Sequence, residues 1–349
     1  MVEKANMDFL KDFNKDLAKM DGVGTSSKPP KYWYSTGNHV LNKIVSGNYD
    51  NGIPQGRVTI VCGDSGSGKS FLSANITKSA QQSGAFCLVL DSENSLDDEF
   101  MSKIGVDVDD GYKYVGVKTI AQVINVVSSF LKGYKKQYGE DPDAPQIFIS
   151  IDSLDMLMTE TELVNYEKGD QKGDQGQRNK QLKAMLRSFV QDIKHLNVTM
   201  LCVSQVYKNQ DLLNGLGQWI VSDAVKYACS QIILLSKLKL KDDSGKAGQF
   251  AGIRMKCEGY KTRFTKPFQT ITLEIPYESG MDPYSGLLDA AIGLGVVEKR
   301  GSRYAMAKSD KTWYEKDWQP YIEEILTNCV AIGNKVLQAE VDVSELIQE

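Results

Sequence analysis

One octapeptide restricts the fold of this chain more than any other segment. It reads Gly63-Asp64-Ser65-Gly66-Ser67-Gly68-Lys69-Ser70, a match to G-x-x-x-x-G-K-[ST] at every fixed position. In such a loop backbone N–H groups cradle phosphate oxygens, the lysine reaches the β- and γ-phosphates, and the serine hydroxyl ligates Mg²⁺. The apolar run 57–62 before it predicts a strand, and residues 69–82 predict a helix whose N-terminus favours an anion. The chain is therefore predicted to bind a nucleoside triphosphate through residues 63–70 and the adjoining Phe71.

The composition is that of an ordinary globular protein and argues against several classes of function. The 349 residues are 41% hydrophobic and 25% charged, with a net charge of −4, so contact with nucleic acid would need a locally basic surface. The six cysteines are dispersed without a C-x-x-C pair, which favours reduced core thiols and a cytosolic setting. Only two histidines are present, which argues against a structural zinc site. No signal peptide is expected, because the start Met1-Val2-Glu3-Lys4 lacks an apolar h-region, and no membrane span is expected, because no run approaches about 18 apolar residues.

The hydrophobic pattern predicts alternating strands and helices over most of the chain. The early strands are continuous apolar runs, which is typical of a parallel sheet with both faces covered. A smaller helical segment, a hairpin at 296–306 and a helical tail are expected after Pro283. The fold class is therefore α/β, with a mainly parallel central sheet and a small C-terminal α/β domain. Strands are expected at 57–62, 86–90, 146–151, 198–204, 230–236, 251–257 and 268–275, and helices at 69–82, 97–104, 119–137 and 176–195.

A separate amphipathic helix is predicted at residues 7–20. A linker rich in glycine, serine and proline follows it at 22–30. A helix of this length cannot fold alone, so it must dock on a larger surface. Two surfaces stay open, the protein's own core and a neighbouring subunit. The apolar face consists of Phe9, Leu10, Phe13, Leu17 and Met20.

Polar side chains that suit phosphate chemistry follow three of the predicted strands. Asp152 ends an apolar run and would hold the Mg²⁺ shell, with Ser70, from the carboxyl end of its strand. Glu93 is the candidate to orient and deprotonate the attacking water, the alternative being a solvated turn acid. Gln205 ends a further buried strand, where its amide could sense the γ-phosphate.

The order of these motifs resembles the RecA superfamily of DNA strand-exchange ATPases. After the phosphate loop come Asp91-Ser92-Glu93-Asn94-Ser95-Leu96-Asp97, then the strand end at Asp152-Ser153, then the strand that ends at Gln205. Ser35-Thr36-Gly37 with Leu41 resembles the S-T-G-x-x-x-L segment at the start of that family's core, and Ile104-Gly105-Val106-Asp107 follows at the familiar distance. Residues 280–289, GMDPYSGLLD, are similar to the phage-encoded UvsX recombinases. The resemblance runs from about residue 35 to 305.

The resemblance implies roles at the nucleotide. Lys69, Glu93 and Gln205 are expected to be catalytic, as the phosphate-binding lysine, the carboxylate that activates water and the γ-phosphate sensor. The family places an acid and an aromatic residue against adenine, which points to Asp97 and Phe100 in this sequence.

The resemblance also implies that a neighbouring subunit completes the nucleotide site. Lys261 and Arg263 resemble a pair of cations that reaches the neighbour's nucleotide, so they are expected to be catalytic in trans. Two cations spaced i, i+2 on a strand point to the same side, as a phosphate clamp requires. The alternative is a basic strand end that faces water. Tyr277 falls where the family has a residue near the neighbour's adenine.

Two long polar segments, at about 158–177 and 206–226, coincide with the family's DNA-binding loops. Glycines in such loops permit close approach to phosphates, and an apolar side chain can wedge between bases. The first segment also carries five acids and is not basic overall, and Trp219 in the second could instead fold back on the core. The residues expected to contact DNA are Lys168, Lys172, Arg178, Tyr207, Lys208, Gly215, Gly217, Trp219 and Ile220.

The resemblance implies an ATP- and Mg²⁺-dependent recombinase, a DNA-dependent ATPase that forms helical filaments on single-stranded DNA and exchanges strands with double-stranded DNA. Its parts would be an N-terminal oligomerisation helix with linker (1–31), an ATPase core (32–282) and a small C-terminal domain (283–349). Expected partners are a recombination mediator and a single-strand DNA-binding protein, without a membrane, in a bacterial host cytoplasm if the protein is phage-encoded. Two other interpretations stay open, a hexameric replicative helicase of the same fold and a regulatory ATPase that does not touch DNA.

Overall fold

The computed structural model describes residues 8–20, 29–170, 176–208, 219–241, 250–276 and 280–333. The chain divides into two compact units, 1–31 and 32–349. In the first unit helix α1 spans Asp8–Lys19, which confirms the amphipathic helix expected there. Its two phenylalanines are exposed, Phe9 by 74% and Phe13 by 47%, and their rings stack with centroids 6.1 Å apart.

The second unit is built on a large twisted sheet. A short antiparallel ladder of β1 (Trp33–Tyr34) and β2 (Ile53–Pro54) precedes it. The sheet strands are β3 (Val58–Gly63), β4 (Phe86–Asp91), β5 (Tyr112–Gly116), β6 (Ile147–Asp152), β7 (Val198–Lys208), β8 (Trp219–Val221), β9 (Gln231–Lys241), β10 (Phe250–Lys261) and β11 (Thr270–Pro276). Among the described residues the order is β11-β10-β9-β3-β7-β6-β4-β5, and β8 pairs only with β7.

The strands from β9 to β5 in this order are parallel, β10 runs antiparallel to β9, and β11 pairs antiparallel with β10. This confirms the α/β class with a mainly parallel sheet. β3 and β6 are buried along their whole length, which explains why their sequences are continuous apolar runs. The carboxyl ends of β3, β7, β6 and β4 are neighbours, because Gly63 pairs with Gln205 and Asp91 with Asp152. The phosphate loop and all three predicted polar strand ends therefore meet at one edge.

Helices cover both faces of the sheet. The described helices of this unit are α2 (His39–Ser46), α3 (Lys69–Gln82), α4 (Asp98–Ile104), α5 (Ile120–Tyr138), α6 (Glu160–Glu167), α7 (Gln177–Ile193), α8 (Asp223–Lys226) and α9 (Leu287–Gly293). Side chains of α2 and α3 pack with Phe148 on one face of β6, and those of α5 and α7 pack with Ile149 on the other. Successive strand residues thus enter two separate hydrophobic cores. No described helix has the length and apolar character needed to cross a membrane.

The last described part is a small antiparallel sheet with helices. It contains β12 (Val297–Arg300), β13 (Arg303–Met306) and β14 (Thr312–Trp313), and residues 322–333 are helical. The hairpin expected at 296–306 and the helical segment before it are confirmed. Buried side chains of this part, among them Leu287 and Trp313, belong to the same core as Leu72 of α3. The domain boundary at 282/283 stays a prediction.

The first polar segment differs from the expected loop. Helix α6 lies inside it and begins with a capping box, in which Thr159 and Glu162 satisfy each other's backbone N–H groups. The hydrophobic pattern did not reveal this helix, because it has no buried residue. In the second segment β7 continues to Lys208 and pairs antiparallel with β8, so part of that expected loop forms a β-hairpin.

Candidate nucleotide site

The phosphate loop joins β3 directly to α3 and has the geometry that its sequence predicts. Gly66 and Gly68 adopt positive φ angles of 65° and 96°, a region that side chains other than glycine rarely occupy. Lys69, the first residue of α3, is 9% exposed, and its Nζ donates to the carbonyl of Asp64 at 3.0 Å. The lysine is thus held across the loop, where the N-terminus of a 14-residue helix adds partial positive charge.

Asp152 is a buried carboxylate without a hydrogen-bond partner among the described residues. Its side chain is fully buried, and neither oxygen meets hydrogen-bond geometry with a described residue, the nearby Ser70 hydroxyl included. Burial raises the pKa of Asp152 to about 7; Ser70 and Lys69 oppose this shift, and Glu93 and Asp91 reinforce it. A buried carboxylate without a partner is unfavourable unless a cation compensates it.

The residues present therefore fit a Mg²⁺ ion. Ser70 and Asp152 would hold it from the protein side. The described residues contain no group of three or more His, Cys, Asp and Glu that could form a complete metal cage. This agrees with Mg²⁺ sites that keep several waters and rely on substrate phosphates.

Glu93 lies in a turn that Asp91 organises. The two carboxylate oxygens of Asp91 accept the backbone N–H groups of residues 93, 94, 95 and 96, at 2.8–2.9 Å. Glu93 itself is exposed, and its Oε1 accepts the Ser153 hydroxyl at 2.5 Å. Ser92 and Ser153 exchange two further hydrogen bonds. The turn after β4 is thereby attached to Ser153, the residue that follows Asp152. This attachment brings the two predicted acids, Glu93 and Asp152, to one place.

The role of Asp91 was missed in the sequence, where only the acid two residues later was singled out. A signal was available, because an Asp at a strand end followed by a polar turn is typical of side-chain acceptance of the next backbone N–H groups. Asp91 therefore acts as the support of the catalytic candidate Glu93.

Gln205 lies on β7 directly opposite Gly63, the first residue of the phosphate loop. Its backbone N–H donates to Asp155, and its side-chain amide makes no hydrogen bond among the described residues. The amide is partly exposed at the edge that carries the phosphate loop. This placement suits a group that bonds a phosphate oxygen when nucleotide is bound.

A cleft of about 510 Å³ lies beside α3 and α4. Phe71 and Phe100 line it, together with Ile253, Pro276 and Met281. The volume and the mixture of aromatic and apolar walls suit a nucleoside base. Asp97 begins α4, where its Oδ1 accepts the backbone N–H of Phe100 at 2.8 Å, so this predicted adenine contact also serves as a helix cap. Tyr277 lies outside the described residues.

The cations Lys261 and Arg263 lie away from the phosphate loop of their own chain. Lys261 is the last residue of β10 and donates to the carbonyls of Lys226 and Cys229, at 2.5 and 2.9 Å. Arg263 follows in a bend and is exposed, so the expectation that both stand on one strand is not met. It lies close enough to Arg57 to lower the pKa of that guanidinium, in addition to the effect of burial.

Comparison with known proteins gives the family. A family model described as the RecA N-terminal domain matches residues 2–282. The chain belongs to the RecA family. Similar proteins include Protein RecA of Thermus aquaticus (26% identical over 296 residues, 82% of each chain) and of Aquifex pyrophilus (26% over 261 residues, 73% of this chain and 68% of that one). A mitochondrial DNA repair protein recA homolog of Dictyostelium discoideum is 24% identical over 305 residues, 83% of this chain and 62% of that one.

In this RecA-family chain the predicted DNA contacts divide into four groups. Lys168 is exposed at the end of α6, and Tyr207 is 52% exposed on β7. Arg178 is partly buried and donates to the carbonyls of Leu154, Asp155 and Leu157, so it ties the start of α7 to the segment after β6. Lys208, Trp219 and Ile220 belong to the β7–β8 hairpin, where Lys208 pairs with Trp219. Lys172, Gly215 and Gly217 lie outside the described residues.

Lys237 is a cation near the RecA-family phosphate loop that the sequence patterns did not indicate. Its Nζ donates to the carbonyl of Ser65 at 2.9 Å. The Cβ of any larger residue at Gly66 would lie 2.7 Å from that Nζ. The pairing of β9 with β3 brings Lys237 close to the phosphate loop, although the two are far apart in the chain.

Proposed function

We propose that this chain is an ATP-dependent DNA recombinase that assembles into helical filaments on single-stranded DNA and catalyses homologous pairing and strand exchange, in recombination and repair. The observation that carries the proposal is the RecA-family match together with the site itself. The phosphate loop, Asp152, Glu93 and Gln205 converge on neighbouring strand ends. Fold alone would not identify the activity, since related folds perform several.

The geometry supports hydrolysis of ATP to ADP and phosphate. Lys69 and the backbone N–H groups of the loop would bind the phosphates, and Ser70 and Asp152 would hold Mg²⁺, which would neutralise phosphate charge. Glu93 is the base that orients the attacking water and takes its proton, because its carboxylate is exposed and is held in place by Ser153. The adenine ring of ATP occupies the cleft that Phe71 and Phe100 line.

The position of the two cations supports a site shared between copies of the chain. Along β9, Gly63 pairs with Leu235, and Lys261 pairs with Ile232. Ile232 lies three residues before Leu235 on β9. Lys261 is therefore about 10 Å farther along the sheet than Gly63, in the direction away from the phosphate loop. Arg263 continues in that direction. Both cations therefore lie away from the phosphate loop of their own chain, which supports a role at the nucleotide of a neighbour in a filament.

Finer features of the proposal rest on sequence resemblance. Residues 280–289 support a recombinase of the phage-encoded UvsX type, acting in a bacterial host cytoplasm and in recombination-dependent replication. A mediator and a single-strand DNA-binding protein would assist loading, because filament growth must displace other proteins from the strand. Double-stranded DNA is the second substrate of strand exchange.

One experiment separates this function from its rivals. ATPase activity is measured with and without single-stranded DNA, and the products are examined by electron microscopy. Stimulation by DNA together with filaments supports the recombinase. Closed rings would instead support the hexameric helicase, and turnover that ignores DNA would support a regulatory ATPase.

A further inference from the structure

Asp155 connects the segment after β6 to the end of β7 through its side chain. The backbone N–H of Leu154 donates to the carbonyl of Val203 at 2.9 Å, as in a continuing parallel ladder. Two residues farther along β7, the N–H of Gln205 donates to Asp155 Oδ2 at 2.5 Å. A carboxylate therefore takes the place of the main-chain acceptor that the next ladder position would have supplied. The backbone of the γ-phosphate sensor is held by one side chain.

The other oxygen of the same carboxylate reaches the second polar segment. The Tyr207 hydroxyl donates to Asp155 Oδ1 at 3.2 Å. Tyr207 is two residues after Gln205, so both lie on the same face of β7. Burial raises the pKa of Tyr207, and the charge and hydrogen bond of Asp155 raise it further, whereas Arg178 lowers it. Half of the tyrosine side chain is nevertheless exposed, on a predicted DNA-contacting segment.

The main chain of Asp155 reaches the first polar segment. Its carbonyl accepts a hydrogen bond from Arg178, whose guanidinium also donates to the carbonyls of Leu154 and Leu157, at 3.1 and 2.8 Å. Arg178 is the second residue of α7, directly after the first polar segment. One residue thus contacts the sensor strand and the ends of both segments.

We propose that Asp155 is a positioning residue that couples DNA on the two polar segments to the γ-phosphate sensor Gln205. The inference rests on the proposed function. A DNA strand that binds Tyr207 or displaces Arg178 changes the hydrogen bonds on one side of Asp155. Because the carboxylate is planar and rigid, its other oxygen then shifts relative to the Gln205 N–H. Coupling of this kind requires that the two sites bias one shared element, which here is the end of β7.

The test compares Asp155→Ala, Asp155→Asn and Tyr207→Phe in the full chain. Asn retains an acceptor for the Gln205 N–H and can donate to the tyrosine oxygen, Ala removes both contacts, and Phe removes only the hydroxyl. Met156→Ala is the matched control, since Met156 is the next residue and is 53% exposed. Each protein is assayed for kcat and KM of ATP hydrolysis with and without oligo(dT), for oligo(dT) affinity and for thermal midpoint.

For Asp155→Ala we expect the ratio of DNA-stimulated to DNA-free kcat to fall at least fivefold, while KM for ATP changes less than twofold. Asp155→Asn should recover at least half of the ratio, Tyr207→Phe should lose part of it, and Met156→Ala should match the wild type. An Ala variant with an unchanged ratio overturns the inference. So does a purely structural pattern, in which kcat with and without DNA falls equally and the thermal midpoint drops.

If Asp155→Ala fails to fold, Tyr207→Phe decides. An unaltered ratio in that variant, with DNA still bound, overturns the inference, and a reduced ratio at an unchanged thermal midpoint supports it. The wild type separates this inference from the proposed function. If DNA does not stimulate the wild-type ATPase, the proposed function and this inference are both overturned. If DNA stimulates the wild type and the variants to the same extent, only the role of Asp155 is overturned.

Discussion

Glu93 is positioned by residues at the ends of two strands, and this arrangement defines what the residue can do. Asp91 fixes the backbone of its turn, and Ser153 fixes its carboxylate. A carboxylate in this setting can accept a proton without moving, as a general base must. A change that removes only its basicity should therefore leave the rest of the site intact.

We expect Glu93→Gln to bind ATP and to assemble on DNA while its turnover falls on the order of 10²-fold or more, since the amide keeps the shape but not the proton-accepting role. Steady-state ATPase assays and binding of a fluorescent ATP analogue measure the two properties separately. Glu99→Gln is the control, because Glu99 is exposed and ion-paired with Lys103 on α4. Near-normal turnover of Glu93→Gln would remove Glu93 from the mechanism.

Some single-residue features could be predicted and others could not. Lys69, Ser70, Asp152 and Gln205 stand at fixed positions next to recognisable strands, so their meeting follows from parallel topology. Lys237 lies 172 residues from its acceptor Ser65, and a spacing pattern carries no information about such a contact.

At the scale of elements, prediction succeeded where a fixed motif or a long apolar run marks the element. The boundaries of α3 were correct because a loop with a fixed motif precedes it, and β3, β4 and β6 have long apolar runs. β5 was missed because its residues are only partly buried and do not form a continuous apolar run. The hairpin of β7 and β8 was missed because β7 pairs with β8 at residues 206–208, which lie beyond the apolar run from which the strand was predicted.

This hairpin carries the next prediction. Lys208 and Trp219 are directly paired in the ladder. The double variant Lys208→Ala and Trp219→Ala should bind single-stranded DNA about tenfold more weakly, because base stacking contributes about 1–3 kcal/mol per base and a phosphate contact is lost. Fluorescence titration at several salt concentrations should also show a smaller salt dependence.

Nucleotide affinity without DNA should stay unchanged in the same variant. Lys135→Ala serves as the control, since Lys135 of α5 is ion-paired with Asp192 of α7. If both the DNA affinity and its salt dependence equal those of the wild type, the hairpin is not the DNA contact.

At the scale of the whole molecule, α1 presents an exposed aromatic pair on a helix too short to be stable alone. A patch of this kind suits a head-to-tail contact that extends into a filament. We expect deletion of residues 1–28 to leave a protein that binds ATP but polymerises poorly on DNA. The combined substitution Phe9→Ala and Phe13→Ala should have the same effect, and Lys11→Ala should not. Sedimentation with DNA measures assembly, and equal assembly of all variants would mean that the helix does not mediate it.

The filament also offers a direct test of whether the active site is shared between two chains. Lys261 and Arg263 lie at the end of the sheet opposite to their own phosphate loop, so they would act like an arginine finger in trans. Arg263→Ala should bind ATP with normal affinity but hydrolyse it slowly and lose stimulation by DNA. Lys69→Ala should be inactive, because the charge that contacts the transferred phosphate is missing.

A mixture of these two inactive variants should regain part of the ATPase activity. Some of its interfaces combine the intact phosphate loop of the Arg263→Ala chain with the intact Arg263 of the Lys69→Ala chain, which completes one site. The measurement is turnover on single-stranded DNA as a function of the mixing ratio, with maximal activity expected near equal amounts. Each variant alone at the same total concentration is the control. If filaments shown to contain both variants remain inactive at every ratio, Arg263 serves its own chain and the shared site is refuted.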